Sequence, residues 1–84
     1  PKMLLLDEPT AGINPTLING IINRLIKVNE EFGITLLVIE HNMRVIMNLA
    51  QKIFCLAHGE LLAEGLPEQI KNDKRVVEAY LGAR

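Results

Sequence analysis

The chain has 84 residues, 49% of them apolar, enough to build the core of one small domain and too few for two. A net charge of -1 gives no electrostatic basis for holding a nucleic acid. No apolar run approaches the ~20 residues of a membrane-spanning helix, and no basic start leads into a secretory segment. The single cysteine, Cys55, has no internal disulfide partner, which suits a reducing compartment and makes the cytosol the default.

The chain opens at Pro1 and reaches an apolar run by Met3, with no leading loop, so it reads as a fragment of a longer protein. Met3 to Asp7 has the length and composition of a strand buried on both faces of a parallel sheet. Glu8 to Asn14, with its Pro, Thr and Gly, is a loop. Asn14 followed by Pro15 signals a helix start, because Asn caps free amides and Pro is preorganised for the first helical position. Leu17, Ile18, Ile21, Ile22, Leu25 and Ile26 recur at helical spacing, which predicts an amphipathic helix to about Phe32 with its stripe against a sheet. Gly33 is placed to cap its end.

Thr35 to Glu40 ("TLLVIE") is a second β-rich run, so strand, helix and strand form one βαβ unit with parallel strands and a right-handed crossover. Asn42 to about Gln51 predicts a shorter helix with Val45, Ile46 and Leu49 inward. Lys52–Ala57 and Glu60–Glu64 are two short strands joined at His58-Gly59, a hairpin signal. Pro67 opens a helical turn through Ile70, and Asp73 caps a last helix, Lys74 to Leu81, which Gly82 stops. Cys55 reads as core packing, His58 as a turn residue, and Met43 and Met47 as core. The fold class is α/β: a parallel βαβ unit followed by a β-hairpin and C-terminal helices.

Parallel strands bring their C-terminal ends to one edge, where ligands of open α/β sheets bind. Asp7 and Glu8 leave the first strand there, and Glu40 and His41 leave the second. Two adjacent carboxylates repel unless a cation or a reaction uses them. One can support a hard cation such as Mg²⁺, shared with nucleotide phosphates. The other can orient or deprotonate a water, while a histidine contacts a phosphate oxygen. Glu40 reads as structural, a strand end or a group one layer behind the reacting set. The arrangement fits nucleotide hydrolysis; a solvated strand end is the plain alternative.

These residues carry a resemblance. "MLLLDEP" resembles the Walker B strand and catalytic glutamate of ATP-binding-cassette (ABC) ATPases, "AGINP" their D-loop, and "VIEHNM" the strand and switch histidine of their H-loop. "AHGELLAEGLPEQI" is similar to the end of that domain, and "VVEAYLG" to ATPase subunits of branched-chain amino acid importers. The resemblance covers essentially residues 1–84 and implies a partial P-loop NTPase-like sheet that works with ATP and Mg²⁺. It implies that Asp7 supports Mg²⁺ through water, that Glu8 is the general base, and that His41 contacts the γ-phosphate region. Ala11, Gly12, Ile13 and Asn14 would face a second ATPase subunit. Asn14 stands where the commonest form of that loop has Asp. The implied partners are membrane permease subunits at the inner face of the cell membrane, with no nucleic acid and no spanning segment of the chain's own.

No glycine here is followed by lysine, and no two glycines are adjacent, so neither the Walker A loop nor the LSGGQ-like signature occurs in these residues. The 84 residues alone are therefore expected to be inactive, and strands without flanking neighbours to expose an apolar face. Two other functions are compatible with the pattern: a soluble ABC-type ATPase of DNA repair or chromosome maintenance, and a non-catalytic interaction domain.

Overall fold

A computed structural model describes residues 1–80. The elements follow in the order β1 (Met3–Asp7), α1 (Pro15–Phe32), β2 (Thr35–Ile39), α2 (Met43–Leu49), β3 (Ile53–Ala57), β4 (Glu60–Gly65), α3 (Pro67–Lys71) and α4 (Lys74–Tyr80). Where length suggests one domain, the residues gather into two compact units that divide after Leu49. The last helix is described only to Tyr80, so the expected stop at Leu81 and Gly82 lies outside the described residues.

In the first unit β1 and β2 pair in parallel, with Met3 opposite Thr35, Leu5 opposite Leu37 and Asp7 opposite Ile39. The side chains alternate along both strands. Leu4, Leu6, Leu36 and Val38 are half-buried, whereas Met3, Leu5, Leu37 and Ile39 stand exposed on the other face. Burial on both faces is thus corrected to burial on one, and the expected apolar face is present.

Helix α1 begins and ends as its residues dictate. The Asn14 side chain accepts a hydrogen bond from the Thr16 amide, Pro15 takes the first turn, and Gly33 closes the helix with φ of 65°. Its apolar stripe does not simply face the sheet. Ile18 and Ile22 are buried with Val45 of α2, and Ile13, Ile26 and Leu49 pack around them. Leu17, expected inward, is exposed. Helix α2 is shorter than predicted, and Asn42 stands outside it as a cap, accepting from the Arg44 amide at 3.1 Å. The Arg44 guanidinium also donates to Asn19 on α1 at 2.8 Å.

The second unit is an antiparallel hairpin with two helices. His58 and Gly59 both take positive φ (52° and 76°), as a two-residue type I′ turn requires. Ala57 pairs with Glu60 across it, and a register shift after Cys55 leaves Leu62 as an extra residue. Ile53, Cys55, Ala63, Ile70 and Val76 are the buried residues here. Burial pushes the Cys55 thiol up, and the charge of Asp73 adds to it, so the sulfur behaves as core and not as a nucleophile. Asp73 caps α4, accepting from the Arg75 amide at 2.8 Å. The Tyr80 hydroxyl donates to the Leu56 carbonyl.

Candidate active site at the strand ends

The candidate site lies wholly in the first unit, where β1 and β2 end side by side. Asp7 is the last residue of β1 and is exposed. Glu8 is already outside the strand: its backbone takes a positive φ of 49° while its amide donates to the Ile39 carbonyl at 2.7 Å. A left-handed conformation costs a non-glycine residue about 1–2 kcal/mol. It also breaks the strand alternation that would otherwise set Asp7 and Glu8 on opposite faces. Two turn bonds then lead the chain back, from the Ala11 amide to the Glu8 carbonyl at 3.0 Å and from Ile13 to Thr10 at 3.1 Å.

The sequence places Glu8 and His41 on one rim, and the structure brings them together. His41 Nε2 lies 3.6 Å from Glu8 Oε1, with side-chain exposures of 77% and 43%. That is ion-pair range but too long for a hydrogen bond, and both groups open to solvent. Asp7 shares the edge through its pairing with Ile39. No group of three His, Cys, Asp or Glu side chains close enough to cage a metal occurs among the described residues. Asp7 is a hard-oxygen donor, the ligand type of a cation such as Mg²⁺ that takes much of its shell from water and phosphate.

The four loop residues expected to face a second subunit divide in two. Ala11, Gly12 and Asn14 are exposed, and Ile13 is half-buried. Ile13 packs against the Ile18–Ile22–Val45 cluster, and Asn14 spends its side-chain oxygen on the Thr16 amide and hydroxyl, at 3.0 and 2.9 Å. A capping role needs a side-chain acceptor and no charge, so Asn14 serves it as well as Asp would.

Behind the rim sits a residue that sequence patterning does not single out. Thr10 is the one buried polar side chain among the described residues. Its hydroxyl and amide donate to Glu40 Oε2 at 2.7 and 3.3 Å, while Glu40 Oε1 accepts from the His41 and Asn42 amides at 3.1 and 3.3 Å. Burial pushes the Glu40 carboxyl up, but the Thr10 hydroxyl and these amides outweigh it and hold the group below its ordinary value of 4.5. The ionised form is thus favoured by folding. Its stabilising contribution is complete above pH 4.5 and disappears as pH falls through the lower folded-state value. Urea unfolding should therefore show wild type more stable than Glu40→Gln above pH 4.5, with the difference shrinking in acid. An equal difference at all pH values would contradict this.

These elements define the class. The fold is that found in ATP-binding-cassette ATPase domains. Its backbone superposes on the crystal structure of the ADP conformation of an ATP-binding cassette of an ABC transporter with a TM-score of 0.83 and 35% identity, covering 98% of this chain and 34% of that one. A nucleotide-free cassette gives a TM-score of 0.82 at 34% identity over the same shares.

Within the class, the sequence is similar to branched-chain amino acid transport ATP-binding proteins. A family model described as branched-chain amino acid ATP-binding cassette transporter matches residues 60–84. The chain is 37% identical over 83 residues to the probable branched-chain amino acid transport ATP-binding protein LivG of Archaeoglobus fulgidus, covering 99% of this chain and 32% of that protein. It is 40% identical over 82 residues to the high-affinity branched-chain amino acid transport ATP-binding protein BraF of Pseudomonas aeruginosa, covering 98% of this chain and 32% of that one. The chain thus spans about a third of the length of the curated relatives it matches. None of the described helices is long and apolar enough to cross a membrane.

Proposed function

We propose that these residues supply the Walker B, D-loop and H-loop part of the ATP-binding subunit of an importer for branched-chain amino acids. The subunit would couple ATP hydrolysis to transport by permease subunits at the inner face of the membrane. The observation that carries the proposal is the approach of Glu8 to His41, 3.6 Å apart at the paired ends of two parallel strands. Two exposed side chains at that separation are free to hold a ligand between them instead of each other. The branched-chain amino acid transport relatives support the importer over a DNA-repair ATPase, and a near-neutral chain supports the same choice.

Glu8 is then the general base. Its carboxylate accepts a proton from the water that attacks the terminal phosphorus, as the bond from that phosphorus to the bridging oxygen breaks and ADP leaves. His41 donates a hydrogen bond to the phosphate and holds it in line with that water. Asp7 would hold Mg²⁺ through water, and the bound cation would offset the charge of the transferring phosphoryl group. Ala11, Gly12 and Asn14 are the exposed residues of the D-loop that would meet a second ATPase subunit; Ile13 packs that loop from within.

Phosphate cradling by backbone amides and a lysine comes from a loop that these 84 residues do not contain. The experiment compares ATP turnover by the 84-residue chain with turnover by a full-length subunit carrying it. The expected result is turnover in the full-length subunit and none in the short chain. Hydrolysis by the short chain that vanishes with Glu8→Gln would overturn the division of the site. Lack of turnover in the full-length subunit, assembled with its permease, would overturn the ATPase assignment itself.

A further inference from the structure

We propose that Glu40 is a positioning residue whose carboxylate clamps the loop carrying Glu8 to the loop carrying His41 and so sets the gap between them. The inference rests on the ATPase assignment above and deepens it. Glu40 need never touch the nucleotide. One of its oxygens receives both the hydroxyl and the amide of Thr10, two residues beyond Glu8. The other receives the amides of His41 and Asn42. A single planar group therefore binds both sides of the site.

The first loop is tied to the second strand's end at one further point, the Glu8 amide on the Ile39 carbonyl. Glu8 is held on one side by that bond and on the other by Thr10, which fits a residue kept in a left-handed backbone conformation. His41 is held through its own amide. Thr10 is only 6% exposed, so its hydroxyl has no ready exchange with solvent if the carboxylate is removed. Losing the carboxylate frees both loops at once and lets Glu8 and His41 drift relative to each other. Misplacement of about 1 Å at a reacting centre costs on the order of 100-fold in rate. A neutral amide keeps the size of Glu40 but only one of its two acceptors, so Glu40→Gln restores part of the function that Glu40→Ala removes.

The test uses the full-length subunit in complex with its permease, with Glu40→Ala, Glu40→Gln, Thr10→Val and the Ala/Val double variant. For Glu40→Ala the expected result is a fall in kcat of about 10- to 100-fold, with KM for ATP within about threefold of wild type. Glu40→Gln should be intermediate. Thr10→Val should lose rate as well, and the double variant should be no worse than Glu40→Ala, because both changes break one clamp. Wild-type kcat in Glu40→Ala, or fully multiplicative losses in the double variant, would overturn the inference. A rise in KM matching the fall in kcat would do the same. Two controls run alongside separate the ideas: a wild-type subunit without ATP turnover would sink the ATPase assignment, and Glu8→Gln turning over ATP like wild type would remove Glu8 as the base, whereas neither result by itself speaks to the clamp. Backbone amide NMR then decides the clamp without any activity. Thr10→Val must shift the His41 and Asn42 amides, and unchanged resonances would refute it.

Discussion

Glu8→Gln in a full-length ATP-binding subunit is expected to lower ATP turnover by about 100- to 10,000-fold while leaving ATP binding close to wild type. The amide keeps the size of the side chain and loses the basic oxygen, so it removes proton transfer without removing packing. Glu8 is well suited to such a test because its carboxylate is 43% exposed and the His41 imidazole 3.6 Å away is itself in solvent. No buried network collapses with it, and a surface substitution of this kind changes stability by about 0.5 kcal/mol or less. Rapid-quench measurement of phosphate release, with ATP binding measured separately, checks both halves. Turnover within a few-fold of wild type would remove Glu8 from the role of base.

The largest stability effect is expected from Ile70→Ala, a loss of about 2–5 kcal/mol. Ile70 is 1% exposed on the short helix α3, in a unit whose buried set among the described residues is Ile53, Cys55, Ala63, Ile70 and Val76. Cys55 and Ala63 are small, so Ile70 is the largest fully enclosed side chain and few neighbours can collapse into the space it leaves. Leu66, nearby in sequence and 58% exposed, provides the control. Leu66→Ala should cost well under about 1 kcal/mol. Urea unfolding of the chain measures both; equal losses, or a loss below about 1 kcal/mol at Ile70, would show that the second unit is not held by this core.

Local rules made much of the fold legible. Asn14, Pro15 and Gly33 bound α1 because capping and positive-φ chemistry depend on a few neighbouring residues. His58-Gly59 gave a two-residue turn because the twist of paired strands demands two positive φ angles there. Sequence order was enough to set Glu8 and His41 on one rim, since parallel strands must end on the same edge. What periodicity does not contain is the partner of a face. The same apolar stripe on α1 serves a sheet or a second helix, and Val45 of α2 takes its centre. Hydrophobic spacing likewise does not distinguish a strand buried on both sides from one exposing Leu5 and Leu37. Bonds between distant residues are the least visible. Thr10 is one of several polar residues in a loop, and only the fold reveals that its hydroxyl ends on Glu40.

The positive φ at Glu8 joins these levels. A residue forced out of the strand's alternation while its amide still completes the ladder to Ile39 turns its carboxylate toward the neighbouring strand's histidine. The adjacent acids are thereby separated, Asp7 remaining on the strand and Glu8 leaving it.

A double-variant cycle on Glu8 and His41 in the full-length subunit tests most directly whether the two act as one site. Residues that carry out one step together lose their effect together. Glu8→Gln, His41→Ala and the double variant should therefore leave nearly the same residual rate of ATP hydrolysis, with ATP still bound by all three. A His41→Ala protein that hydrolyses ATP at the wild-type rate, or losses that simply multiply in the double variant, would contradict a shared site at the ends of β1 and β2.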